Sequence, residues 1–109
     1  MAAKKSDMDL ITAVVRQSLA ETAMDAAQKA GASGITFFAA SGTGVRQTLG
    51  LAGRLVEAEK QVLWVVTPAS ETKKVLDAIV AAANLNLPGE GFAYVQPVSQ
   101  AVGFIAAAA

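Results

Sequence analysis

Two glycines, an arginine and a glutamine stand close together near the middle of the chain, in a stretch suited to binding an anion. Glycine lets backbone N–H groups approach an anion closely, because it has no Cβ. Arginine adds a permanent charge and a planar fork of donors that matches phosphate or carboxylate. An isolated Gly-x-Gly is more often only a tight turn, but the adjacent Arg-Gln pair favours binding. We therefore predict a ligand-binding turn made of Gly42, Gly44, Arg46 and Gln47.

The composition excludes several classes of function. The chain of 109 residues has no cysteine and no histidine. It therefore lacks disulfides, thiol chemistry, the commonest zinc ligands and the usual general base. Its formal net charge is zero and its basic residues are scattered, so we expect no binding to nucleic acid. No pair of carboxylates stands at a spacing that indicates catalysis, and we expect a protein that is not an enzyme.

The distribution of apolar residues indicates one domain outside the membrane. No apolar run is long enough to span a bilayer, and the first seven residues are too polar to open a signal peptide. We expect a cytoplasmic protein without membrane insertion. Its domain is predicted to occupy residues 8–105, between a flexible leader at 1–7 and a tail at 106–109.

Alternating strand and helix patterns are predicted to position the turn. Short β-rich runs predict four strands, over residues 10–15, 35–40, 62–66 and 92–95. Amphipathic helices follow the first and third strands, with Ser18 and Ser70 as predicted N-caps. This order favours an α+β fold, a ferredoxin-like βαββαβ sandwich with both helices on one face of the sheet.

The composition of the strands predicts an oligomer. If the helices cover one face of the sheet, the other face should alternate into polar residues, yet the first three strands are apolar at nearly every position. Such strands are typical of a sheet that is covered on both faces. Two short helices cannot cover both, so we expect the second face to be buried against other copies of the chain. The alternative is a parallel α/β sheet with helices on both sides.

Three stretches, in their order and spacing, resemble motifs of one known family. They are Gly31–Thr36, similar to a helix end and second strand; Gly42–Gln47, similar to a G-x-G-R-Q turn with one residue inserted before the arginine; and Asp77–Val80 with Gly89–Gly91, similar to a second helix and an acidic G-D-G loop. From Met8 to Phe104 the chain resembles the PII signal-transduction family of nitrogen regulation. Members of this family are ferredoxin-like trimers that sense adenine nucleotides.

The resemblance implies binding clefts between the subunits of a homotrimer. It places Gly34 and Thr36 against the adenine or ribose, and the glycine turn predicted above beside the phosphates. Three further residues would close the cleft from one side, namely Gly89, Glu90 and Gly91. Residues 45–61 would form an effector loop that changes shape with the ligand and docks onto a regulated partner, a transporter or an enzyme.

Departures from the family pattern bear on the ligand. Phe92 stands where a lysine normally follows the G-D-G loop, and Gly103 and Ile105 stand where two arginines are usual. A charge-assisted hydrogen bond contributes about 1.5–3 kcal/mol, so the loss of two or three cations weakens polyphosphate binding by roughly 10² to 10⁶-fold. The ligands left open are AMP, ADP, ATP, a small anion such as bicarbonate, and none.

Two other functions fit the sequence. One is an α/β phosphate-binding domain in which Ser41–Gly44 precedes a helix at 45–60, whose N-terminus holds the anion. The other is a structural oligomer that binds no ligand.

Overall fold

The computed structural model describes residues 4–5, 7–41 and 59–103. Strands and helices occupy most of these ranges, and a short 3₁₀ turn precedes each helix. The elements are β1 (Lys4–Lys5), β2 (Met8–Arg16), α1 (Ala20–Lys29), β3 (Gly34–Ser41), β4 (Glu59–Pro68), α2 (Thr72–Ala82), β5 (Gly91–Pro97) and β6 (Gln100–Ala101).

The main sheet has four strands in the order β3-β4-β2-β5, and every neighbouring pair is antiparallel. Ile11 of β2 lies opposite Val65 of β4 on one side and Val95 of β5 on the other. This arrangement confirms the predicted ferredoxin-like α+β fold. It also excludes the parallel α/β alternative, in which the strands of the sheet would run in one direction.

Both helices pack on the face formed by the odd-numbered residues of β2 and β4. Small alanines on α1 let this helix approach the sheet closely, while α2 contributes larger branched side chains. The core residues without exposed surface are Ile11, Ala13, Val15, Ala23, Ala27, Leu63, Val65, Val75, Ile79 and Ala83. The helices therefore shield one face of the sheet and leave the other face bare.

The bare face of the sheet, which we call the open face, is lined by aromatic side chains. Two cross-strand rows run across it, Thr36–Trp64–Thr12–Tyr94 and Phe38–Val62–Val14–Phe92. The four aromatic residues in these rows are each 42–55% exposed. They form two pairs: the rings of Phe38 and Trp64 meet edge to face at 5.1 Å, and those of Phe92 and Tyr94 stack at 6.3 Å.

The predicted effector loop is too long at its C-terminal end. Glu59, Lys60 and Gln61 belong to β4, where their backbones pair with the last three residues of β3. The predicted loop is wrong here because the apolar run that predicts the strand begins only at Val62, whereas backbone pairing extends into the polar residues before it. The same pairing contradicts a helix reaching residue 60, as the phosphate-binding alternative requires. Residues 42–58 lie outside the described part of the chain.

The first residues of the chain include a short paired strand. Lys4 lies opposite Ala101 and Lys5 opposite Gln100, so β1 and β6 form a separate two-stranded sheet. Part of the predicted flexible leader is therefore held by backbone pairing. The other boundaries of the leader and tail stay predictions.

Both helices begin later than predicted. Ser18 and Ser70 lie within the 3₁₀ turns, and the N-cap positions are occupied by Leu19 and Glu71, which make no side-chain capping bond. Each strand passes into its helix through one tight turn, so the first helical residues are set by the 3₁₀ geometry and not by a serine cap.

The first turn of α2 is tied to β2 by a side-chain hydrogen bond. The Thr72 hydroxyl donates to the Asp9 carboxylate over 2.6 Å. Because the acceptor is ionised, we expect Asp9→Ala to lower the free energy of unfolding by roughly 1.5–3 kcal/mol. Urea denaturation measures this change. The control is Asp25→Ala, since Asp25 pairs with Lys29 on the exposed surface of α1 and should cost less than about 1 kcal/mol. Equal losses at the two sites would contradict the expectation.

Candidate functional site

Arg16, Lys60 and the loop before β5 meet at one corner of the sheet, where β2 ends and β4 begins. The antiparallel register places Arg16 directly opposite Lys60, and cross-strand partners share a face of the sheet. On the next strand, Gly91 lies opposite Val15, so the loop that precedes β5 reaches the same corner. Ser41 ends β3 beside Glu59 at this edge.

The loop between α2 and β5 takes its shape from residues with positive φ. Asn84 has φ 57°, Gly89 has φ 83° and Gly91 has φ 135°. At the last of these positions there is also no space for a side chain, because a Cβ on Gly91 would lie 1.9 Å from the Val14 carbonyl oxygen. The sequence therefore folds this loop tightly against the end of β2.

Backbone hydrogen bonds hold the loop between these positions. The N–H of Leu87 donates to the Asn84 carbonyl at 3.0 Å, and the N–H of Glu90 donates to the Leu87 carbonyl at 3.3 Å. These bonds fix the loop up to Glu90, whose side chain contacts Arg16 at the corner.

Charges of both signs meet at the corner. Glu90 Oε1 lies 3.4 Å from Arg16 Nη1, and the two side chains are 15% and 29% exposed. Lys60 Nζ donates to the Gly89 carbonyl at 3.5 Å. Two cations, one carboxylate and one backbone carbonyl therefore share a partly buried site.

The predicted site residues fall into three groups. Gly89, Glu90 and Gly91 are brought to the corner, as described above. Gly34 and Thr36 lie at the other end of β3, opposite Val66 and Trp64. Thr36 is four positions from Ala40, the partner of Lys60, which corresponds to roughly 13 Å along the strand. A single chain does not bring these two groups together.

The remaining four predicted site residues lie outside the described part of the chain: Gly42, Gly44, Arg46 and Gln47.

Sequence reasoning missed Arg16. The residue ends the first strand and carries no motif of its own. Its place in the site depends on the register with Lys60 and on the path of the loop before β5, neither of which a sequence pattern fixes. One signal was available in the sequence. Arg16 ends one apolar strand and Lys60 precedes another, and antiparallel pairing of these strands brings the two cations together.

Comparison with known families decides what kind of domain this is. A family model described as nitrogen regulatory protein P-II matches residues 8–104. The chain belongs to the P-II family. The match begins at the first residue of β2 and includes the whole four-stranded sheet and both helices. The family resemblance predicted from the glycine motifs is therefore confirmed.

A solved structure shows the same fold. The P-II domain is similar to PII of Arabidopsis thaliana, in a crystal structure bound to citrate, with a TM-score of 0.66 and 23% sequence identity. The alignment covers 86% of this chain and 79% of the Arabidopsis chain. At this identity the likeness shows a shared fold. No curated protein sequence matches this chain.

The described residues contain neither a cluster of metal-ligating side chains nor a membrane-spanning helix. Within residues 4–5, 7–41 and 59–103, no group of three or more acidic, histidine or cysteine residues could hold a metal ion. Over the same ranges, no helix has the length and apolar character needed to cross a bilayer.

Proposed function

We propose that the protein is a P-II-type regulator that binds a small anionic metabolite in clefts between the subunits of a homotrimer. It then controls a partner protein, a transporter or an enzyme, through the part of the effector loop that precedes β4, residues 45–58. The observation that carries this proposal is the meeting of Arg16, Lys60 and the Gly89–Gly91 loop at one corner of a P-II domain.

The open face supports the trimer. Two aromatic pairs on one bare face form an apolar surface of the kind that marks association between proteins. Gly34 and Thr36 are too far along β3 to reach the corner of their own chain. In the proposed assembly they complete the cleft of a neighbouring subunit, which is why the site is shared.

The charge at the corner favours a ligand with fewer negative charges than ATP. Phe92, in the place of the family's lysine, is an exposed apolar side chain on the open face and supplies no cation. The Arabidopsis PII structure holds citrate, a small polycarboxylate. We therefore place AMP, ADP, bicarbonate or a small carboxylate ahead of ATP as ligand.

Calorimetric titration tests the binding claim. The protein is titrated with AMP, ADP, ATP, bicarbonate and citrate, and we expect saturable binding of at least one. Arg16→Gln should weaken that binding by about tenfold or more, because it removes a charge-assisted contact. The control is Lys29→Gln, which removes an equal charge from the exposed surface of α1 and should leave binding unchanged. Absence of heat for all five compounds at millimolar concentration would contradict the proposal.

A further inference from the structure

The corner of the site contains two like charges that the register forces together. Arg16 and Lys60 are direct cross-strand partners, and like charges in this relation destabilise a strand pair. An anion at the corner relieves the repulsion. In this chain, the Glu90 carboxylate lies there, 3.4 Å from the Arg16 guanidinium.

The contact between Glu90 and Arg16 is loose. Strong charge-assisted hydrogen bonds from nitrogen to oxygen are about 2.7–2.9 Å long, whereas the Glu90–Arg16 distance is 3.4 Å and the Lys60–Gly89 distance is 3.5 Å. An incoming oxyanion can make shorter bonds to the same two cations. A ligand oxyanion that reaches these cations at the shorter distance can therefore compete with the internal carboxylate.

The backbone that carries Glu90 is fixed by packing and by a hydrogen bond. Gly91 is packed against the Val14 carbonyl with no space for a Cβ, and the N–H of Glu90 is bonded to the Leu87 carbonyl. Rotation of the Glu90 side chain can vacate the corner without unfolding the loop. A ligand then gains the Arg16 contact at the cost of one side-chain movement.

We propose that Glu90 is a specificity-determining residue that acts as a built-in counter-anion. Its carboxylate pairs with the Arg16 guanidinium until an anionic group of the ligand displaces it. This inference rests on the proposed function, since it concerns the same cleft. The displaced carboxylate stays tethered beside the site, so its repulsion of the ligand grows with the number of negative charges that the ligand carries. Glu90 thereby selects weakly charged anions over polyphosphates.

The test compares Glu90→Gln with the unmodified protein, using inorganic phosphate, pyrophosphate and tripolyphosphate as probes. Calorimetry at low ionic strength should show about tenfold tighter binding of phosphate by Glu90→Gln, and a larger gain for tripolyphosphate. Glutamine keeps the shape of the side chain, and circular dichroism confirms that the variant is folded.

Two matched variants isolate the cause. Glu21→Gln changes the net charge equally, but Glu21 lies exposed on α1, so its affinities should equal those of the unmodified protein. In an Arg16→Gln background, Glu90→Gln should lose most of its gain, since residues in contact are not additive.

Equal affinities for Glu90→Gln and the unmodified protein, no binding by either, or an equal gain in Glu21→Gln would each overturn the inference. Because the probes contain no nucleoside, failure of this inference can be distinguished from failure of the proposed function. If Glu90→Gln gains phosphate binding while the unmodified protein binds none of the five metabolites named above, only the proposed function is contradicted.

Discussion

Replacing Trp64 with glutamate is expected to dissociate the proposed trimer into monomers. Trp64 lies in a central strand of the open face, between Thr36 and Thr12 in its cross-strand row and in edge contact with Phe38. An aromatic side chain at an interface buries on the order of 150–250 Å². The variant removes that area and places a carboxylate in apolar surroundings, where an unpaired charge costs several kcal/mol.

Sedimentation velocity at micromolar concentration measures this change. The control is Lys74→Glu, because Lys74 lies exposed on α2, on the opposite side of the domain from the open face. That substitution changes the net charge by two units, one more than Trp64→Glu, and should leave the trimer intact. A Trp64→Glu protein that still sediments as a trimer would show that the open face is not the interface.

The second large effect is expected for Gly91→Ala. A Cβ at this position would lie 1.9 Å from the Val14 carbonyl oxygen, and the φ of 135° is one that residues with a side chain rarely adopt. Either β5 must separate from β2 or the loop before it must be rebuilt. We expect a loss of at least roughly 3 kcal/mol in the free energy of unfolding. We also expect loss of ligand binding, because the Gly89–Gly91 loop no longer packs at the corner beside Arg16 and Lys60.

Substitutions at two other glycines distinguish the effect of the Cβ clash at Gly91 from the effect of its positive φ. Gly34 has open space around its Cβ position and no positive φ, so Gly34→Ala should change stability by less than about 0.5–1 kcal/mol. Gly103 also has open space but a φ of 92°, so Gly103→Ala should show the cost of strain alone, roughly 1–3 kcal/mol. Thermal and urea unfolding should rank the losses in that order, with Gly91→Ala the largest. A Gly91→Ala protein as stable as Gly34→Ala would contradict the described loop.

The fold was predictable because its periodicities agree over the whole chain. Two amphipathic helices and four apolar strands in the observed order leave few arrangements, and the apolar character of both strand faces already indicated a bare sheet surface. Element ends were less predictable. Glu59–Gln61 precede the apolar run of β4, so the sequence predicts a loop where the strand has already begun. The sequence also predicts Ser18 as an N-cap, because a 3₁₀ turn has no sequence signal of comparable strength.

The candidate site was only partly predictable, because its members are joined by register. The Gly89–Gly91 loop was found from its glycines, and the structure explains the need for one of them at Gly91. Arg16 was missed because only the pairing with Lys60 brings it to the corner. Gly34 and Thr36 came from family resemblance, and their separation from the loop within one chain indicates that subunit assembly must be known before the site can be drawn.

The mass of the unmodified protein in solution tests the central claim, that the open face is buried between copies and creates shared clefts. Sedimentation equilibrium at micromolar concentration is expected to give three times the chain mass of 11.1 kDa. A single species of 11.1 kDa at that concentration would contradict the account, because the aromatic face would then be left in water and each corner site would lack its second half.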